Sequence, residues 1–168
     1  MTTTTQPLLD ELHAEAQATR RMLERVPADR FSWRPHPKSM TLGQLAIHTA
    51  QIPGALCNLL SMDGFDASQA NFDPPVPATT AEVLSALDAA LSQAESYIGG
   101  LDEEAMDAPW TLSNRGQPVF TQRRAQLVRA LVFNHWYHHR GQLSVYLRLL
   151  DVPVPVSYGR TADENPFA

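Results

Sequence analysis

The sequence reads as an all-α protein, a four-helix bundle with long loops and an ordered C-terminal tail, on three grounds. Leu and Ala are prominent and β-branched runs few, in a chain with 43% apolar and 18% charged residues, a balance that suits a globular protein rather than a disordered one. Apolar residues recur at three- and four-residue intervals over four stretches, the period of a helix with one buried face. Prolines mark the segments between those stretches, where they cannot continue a helix. With 168 residues, the chain can bury about 70% of its unfolded surface in one core, so residues 1–168 are expected to form a single domain.

The first helix is expected from Leu8, Leu9, Leu12, Ala16, Leu23 and Val26, with Pro27 ending it and His13 at the solvated edge of the stripe. The crossover "RVPADRFSWRPHPKSM" follows. Its Pro27, Pro35 and Pro37 forbid a continuous helix and leave His36 in a loop. The second helix opens at Thr41, whose partner Gln44 completes a capping-box pattern. Leu42, Leu45, His48, Ile52, Leu56 and Leu59 follow at helical spacing, with Pro53 expected to kink the helix. His48 thereby takes an apolar position on the buried seam. After the loop "DGFDASQANFDPPVPATT", Thr79 and Glu82 form a second capping box, and Val83, Leu84, Leu87, Leu91, Ala94 and Ile98 carry the third helix to a stop at Gly99-Gly100. The segment "DAPWTLSNRGQPVF" mixes turn formers with aromatic residues, which is compatible with a turn or a short hairpin. The last helix, roughly 121 to 150, is the longest, and Pro153 and Pro155 lie just beyond it.

Several function classes are disfavoured by composition. A formal charge of -5 and a pI near 5.6, with arginines scattered at 115, 123, 124, 129 and 140, give no basic stripe for phosphate neutralisation, so no nucleic-acid partner is expected. No apolar run approaches the ~20 residues of a membrane span, and "MTTTTQPLLDELHAEA" lacks the layout of a signal peptide. No membrane association is expected, and the cytoplasm is the expected location. The single Cys57 excludes an internal disulfide or a multi-cysteine zinc site and fits a reducing compartment. It reads as a small buried hydrophobe, with a reactive thiol as the lesser reading.

Chemistry concentrates in "FNHWYHHRGQ", residues 133–142, which holds half of the six histidines. His135 and His139 lie about 40° apart around a helix and about 6 Å apart along it, so both rings can reach one point. On a uniform wheel the midpoint between them coincides with Val128 and Tyr146 and is flanked by Leu131, Val132, Leu149 and Leu150, which aims the pair at the core. His138 is less central and reads as a neighbour of the pair or an interface residue. Arg129 and Arg140 fall on the far side with Phe133, Tyr137 and Leu147, an apolar patch that needs cover from the tail or from a second subunit.

A lone histidine on an apolar face is usually a core residue with ordinary hydrogen bonds. Three from two helices are harder to satisfy, because the surrounding seam offers mostly Leu, Val and Ile. A divalent metal would engage one nitrogen on each of His48, His135 and His139. Zinc accepts three imidazoles and can keep a fourth position open, while nickel and iron also accept imidazole. Trp136 follows His135 where a zinc protease would place Glu, so peptide hydrolysis is disfavoured. Cys57, nine residues after His48, is about 180° away on an ideal helix and faces elsewhere.

The stretches "RVPADRFSWRPHPKSMTLGQLAIHTAQIPG" and "NHWYHHRGQLSVYLRLLDVPVPVSYGRTADE" resemble the DinB-like family of the DinB/YfiT superfamily, while residues 61–120 add little to the likeness. The resemblance implies a four-helix bundle with a histidine on the second helix and a His-x-x-x-His pair on the last, followed by Arg-Gly-Gln. Here those positions are His48, His135, His139 and Arg140-Gly141-Gln142. It further implies a nickel or zinc ion, a homodimer and, in some branches, transfer or isomerisation reactions that use low-molecular-weight thiols.

Three readings follow. One is a metal-dependent transferase or isomerase acting on an electrophilic substrate with such a thiol, its cavity lined by Tyr146, Trp33, Trp110 and His36; no general base is evident, and no catalytic residue is assigned. The second is a non-catalytic metal-binding or stress-responsive dimeric bundle. A metal-free reading, in which the histidines only pack, is the third.

Overall fold

The computed structural model describes residues 5–70 and 76–167. The threonine start up to residue 4 and part of the loop after the second helix lie outside the described residues. The predicted helical runs are present. α1 spans Gln6–Glu24, α2 Leu42–Leu60 and α3 Thr80–Gly99. A short α4, Glu103–Asp107, precedes a last run built of α5, Arg124–Leu127, a π-helical segment, Val128–Asn134, and α6, His135–Leu149. α2 lies between α3 and the last run, and α1 closes the bundle against α3 and α6. One apolar core runs from Leu12 and Met22 of α1 through Leu45 and Ile52 of α2 and Leu87 and Ile98 of α3 to Val132, Trp136 and Leu143.

Local chemistry explains where the helices begin and how closely they pack. Thr41 Oγ1 accepts from the Gln44 N–H at 3.2 Å, and Gln44 Oε1 accepts from the Thr41 N–H at 3.0 Å, so both halves of the first capping box form. The second box forms by half. Thr79 Oγ1 accepts from the Glu82 N–H, but the Glu82 carboxylate accepts from the Ala78 N–H, one residue further out. At Gly54 a Cβ would lie 2.7 Å from the Ala90 Cα, so the missing side chain is what lets α2 and α3 approach there.

Between the helices the chain forms a small three-stranded sheet, β1 Gly64–Asp66, β2 Pro109–Asn114 and β3 Gln117–Arg123, in the order β1-β2-β3. β1 runs parallel to β2, and β2 pairs antiparallel with β3. The hairpin that the sequence left open is therefore present and takes residues 121–123 from the predicted last helix. Its turn uses Arg115 and Gly116 at φ 51° and 74°, a left-handed pair suited to a tight hairpin. The Asp66 carboxylate accepts from both their N–H groups, at 2.9 and 2.7 Å, and so ties β1 to the turn.

The uniform wheel drawn through the last run needs correction. Arg140 is buried, at 3% exposure, and Phe133 and Leu147 are fully buried, whereas Leu149 is 57% exposed. The reason is the π-helical segment: its wider i→i+5 turns break the α-helical phase, so residues before and after it do not share one wheel. Within α6 the buried face is Trp136, Arg140, Leu143 and Leu147. Of the two covers expected for the apolar patch, the tail or a second subunit, the C-terminal tail supplies part from within the chain. Tyr158 packs edge-on against Tyr137, and Val154 is buried. The tail is ordered by its own acids: Asp163 accepts from the Val154 N–H at 2.9 Å and pairs with Arg148 at 2.5 Å, and Glu164 accepts from the Val156 N–H and pairs with Arg21.

Candidate metal centre

His48 projects from α2 and His135 and His139 from α6, on two helices that pack together. The register between those helices has a specific cause. Pro53 has no N–H to give the Thr49 carbonyl four residues earlier. That carbonyl instead accepts from Trp136 Nε1 at 2.9 Å, and the Trp136 ring is fully buried. Thr49 follows His48 and Trp136 follows His135, so the bond that compensates for the proline also holds the two histidine-bearing turns opposite each other.

The three rings offer one nitrogen each within 4.8 Å of one another. Ring centroids are 5.5 Å apart for His48 and His135, 4.5 Å for His48 and His139, and 4.6 Å for His135 and His139. His135 Nε2 and His139 Nε2 are 2.7 Å apart, and the far side of His139 is engaged as well, with Nδ1 2.8 Å from Gln142 Oε1. All three histidines are half-buried. The pair on α6 lies about 90° around the helix from the centre of the Trp136–Leu147 face, at the edge of the core rather than in its middle as the wheel suggested.

Burial is the main influence on protonation. It lowers the pKa of His48, with His135 adding repulsion, and it lowers that of His135, with His138 adding to the effect. His139 is pushed down to about 4, chiefly by burial and then by the positive forms of His48 and His135. The trio is therefore held neutral at pH 7, the form in which imidazole has a lone pair to give a metal. Among the described residues no carboxylate or thiol joins the group, so its donor set there is three neutral nitrogens, which a divalent cation accepts. Two Nε2 atoms this close need either a shared proton or a common cation.

Other residues singled out by sequence lie outside the trio. His138 is exposed, its ring 4.9 Å from that of His139. His36 is in the crossover loop, where Nδ1 accepts from the Lys38 N–H. Trp33 packs edge-on against Tyr146, whose hydroxyl donates to the Met40 carbonyl. Trp110, expected to line a cavity, is fully buried in the core, with no hydrogen-bond partner for Nε1 among the described residues. Cys57 is fully buried, and burial raises its thiol pKa to about 12, which suits a packing role and opposes a thiolate.

The residues that sequence reasoning missed are the supports. Pro53 and Thr49 stand four apart, a legible hint of an orphan carbonyl, but nothing in the sequence names Trp136 as its donor. Arg140 was placed on the wrong side. It pairs with Glu15 Oε2 at 2.5 Å, donates to the Glu15 carbonyl at 3.1 Å, to Thr19 Oγ1 at 3.2 Å and to the Tyr158 hydroxyl, and so joins α1, α6 and the tail at the residue that follows His139.

A model of the DinB family matches residues 1–165. The Bacillus subtilis (strain 168) protein YrdA, itself uncharacterized, is 26% identical over 150 residues, covering 89% of this chain and 85% of that protein. Among solved structures, a DinB-like protein from Bacillus cereus ATCC 10987 superposes with a TM-score of 0.68 at 21% identity, covering 94% of this chain and all of that one, 100%. The DinB-like protein YjoA from Bacillus subtilis gives 0.66 at 18% identity, covering 89% and 96% of the two chains. At these identities the two structures bear on the fold.

Proposed function

The chain belongs to the DinB family, and we propose on that premise that it binds one divalent metal ion through His48, His135 and His139. Zinc or nickel matches the donor set best, and iron is compatible with it. The observation that carries the reading is the convergence of three neutral imidazole nitrogens within 4.8 Å, in a cluster to which no acid among the described residues contributes. The test is elemental analysis of protein purified without a histidine tag and then loaded and desalted. About one equivalent per chain is expected for three ligands meeting at one point. It should be lost in His48→Ala, His135→Ala and His139→Ala, and kept in His138→Ala. A wild-type chain that retains no metal after loading overturns the reading.

The finer part of the proposal is a transferase or isomerase reaction that joins a low-molecular-weight thiol to an electrophilic substrate. A bound divalent ion supplies positive charge that favours a thiolate or polarises a substrate. What the chain itself supplies is a half-buried trio at the edge of the core and neutral side chains that leave the ion's charge uncompensated. Turnover with a panel of thiols and electrophiles should then require both metal and thiol, vanish in His135→Ala and survive Cys57→Ser. The resemblance to thiol-using branches supports this part.

A specific observation favours the non-catalytic alternative. Each residue proposed to line a cavity has a structural occupation: Trp110 is in the core, Trp33 and Tyr146 pack on each other, and His36 braces its own loop. If metal binds and the whole panel yields no turnover, the binding-protein reading replaces the enzyme. A homodimer in the cytoplasm completes the proposal. The dimer rests on the resemblance alone, since Phe133 and Leu147 are covered within the chain. Light scattering across a concentration series tests it, and a strict monomer at high micromolar concentration removes it.

A further inference from the structure

Gln142 lies about one helical turn beyond His139 on α6, and its side chain meets the Nδ1 edge of the ring, across the ring from the Nε2 that faces His135. Its Oε1 stands 2.8 Å from His139 Nδ1, while His139 Nε2 stands 2.7 Å from His135 Nε2. An amide oxygen only accepts, so Nδ1 must carry the ring proton to complete that bond. A neutral imidazole has one proton. With it held on Nδ1, the lone pair is on Nε2, inside the cluster.

We propose that Gln142 is a positioning residue that fixes His139 in the Nδ1–H tautomer and so presents Nε2 as a ligand. This rests on the metal-binding reading above for its use, but the tautomer itself is a property of the metal-free chain. The bond also fixes the rotation of the ring, because Gln142 and His139 are on the same helix, three residues apart. Hydrogen bonds of this kind to the outer nitrogen of a metal-binding histidine raise its basicity, and losing one typically costs about 10–100-fold in metal affinity. Gln142 is exposed, so water competes for its oxygen and the lower end of that range is the expectation.

The opposite tautomer is the alternative the geometry disfavours. With the proton on Nε2, Nδ1 would be an acceptor facing another acceptor, and the inner position would be blocked to a cation. The amide could answer only by turning its NH2 group inward. A side chain that accepts and cannot donate removes that escape, which is why Gln142→Glu is the informative partner to Gln142→Ala.

Two measurements on the full chain decide the matter. Long-range 1H–15N correlation spectra of metal-free protein report the His139 tautomer directly. Zinc competition against a chromophoric chelator reports affinity. Wild type and Gln142→Glu should show Nδ1–H at His139, and both should hold zinc. Gln142→Ala should shift His139 toward Nε2–H and weaken zinc about tenfold with an unchanged melting temperature of the metal-free form. Nε2–H in the wild type, or a Gln142→Ala variant with the wild-type tautomer, overturns the proposal whatever the zinc result. A wild-type chain that binds no zinc overturns the metal reading instead, and the spectra of the same metal-free samples still decide for or against Gln142.

Discussion

At single positions, the histidine trio carries a pH dependence whose sign is fixed by burial. His139 is lowered to about 4 in the fold from 6.5, and His48 and His135 are lowered too. As pH falls through 6.5 the unfolded chain takes up these protons first, so the folded state loses ground, and for His139 the loss runs until its own ring protonates near pH 4. Metal-free protein should be most stable above about pH 6.5 and lose stability between there and about pH 4. Denaturant melts across that window check this, and His139→Gln should flatten the profile; a wild-type curve without slope there contradicts it. Gly141, between Arg140 and Gln142, is a different case. It is a mid-helix glycine where a Cβ would meet nothing within 4 Å, so Gly141→Ala should stabilise the chain by about 0.5–1 kcal/mol through the lower helix cost of alanine. A lowered melting temperature would mean that something outside the chain approaches that position. The trio was legible from sequence because i,i+4 spacing on a helix and a histidine on an apolar seam are local patterns. Gln142 was legible only as part of a motif, since its acceptor role depends on a rotamer.

The elements meet through two contacts that local patterns do not reveal. Trp136→Phe should leave the Thr49 carbonyl buried and unpaired, at a cost of about 1–3 kcal/mol, and should weaken metal binding by loosening the register of α2 against α6. Pro53→Ala supplies the missing helical N–H to that carbonyl. If the Trp136 bond compensates for Pro53, the double variant should be less destabilised than the sum of the two singles; strict additivity in chemical denaturation would dissociate the two residues. Arg140 is the second contact. Removing one member of a buried pair leaves the other charge unsatisfied, so Arg140→Ala should cost about 3–5 kcal/mol, and urea unfolding that shows a loss under 1 kcal/mol, about the value of an exposed pair, would contradict its structural role. The helices themselves followed from proline positions and apolar period, and α2 and α3 began at the capping residues the sequence marks. The last run did not follow so simply. Its π-helical segment, Val128–Asn134, leaves no mark in the apolar period, and one wheel drawn through it misplaced Arg140 and Leu149. The sheet was legible as a hairpin at most, because β1, at Gly64–Asp66, pairs with β2 across the whole of α3 and α4 and that pairing is non-local.

Across the molecule, the bundle, the small sheet and the tail form one frame around a site at the edge of the core. The tail returns over α1 and α6, where Tyr158 meets Arg140 and Glu164 meets Arg21 and Arg25, so it reaches the back of the helix whose other side carries His135 and His139. No helix among the described residues is long and apolar enough to cross a membrane. The central claim is that this frame holds three imidazoles ready for one cation, and the most direct test is zinc titration of untagged, metal-free protein, read by calorimetry and by thermal melting together. The account predicts saturation at about one zinc per chain with a melting temperature that rises with zinc concentration, because a ligand of the folded state shifts the equilibrium by mass action. Both effects should be absent in His48→Ala, which removes the one ligand on α2. Saturable binding that persists in His48→Ala, or a wild-type melting curve indifferent to zinc, would contradict it.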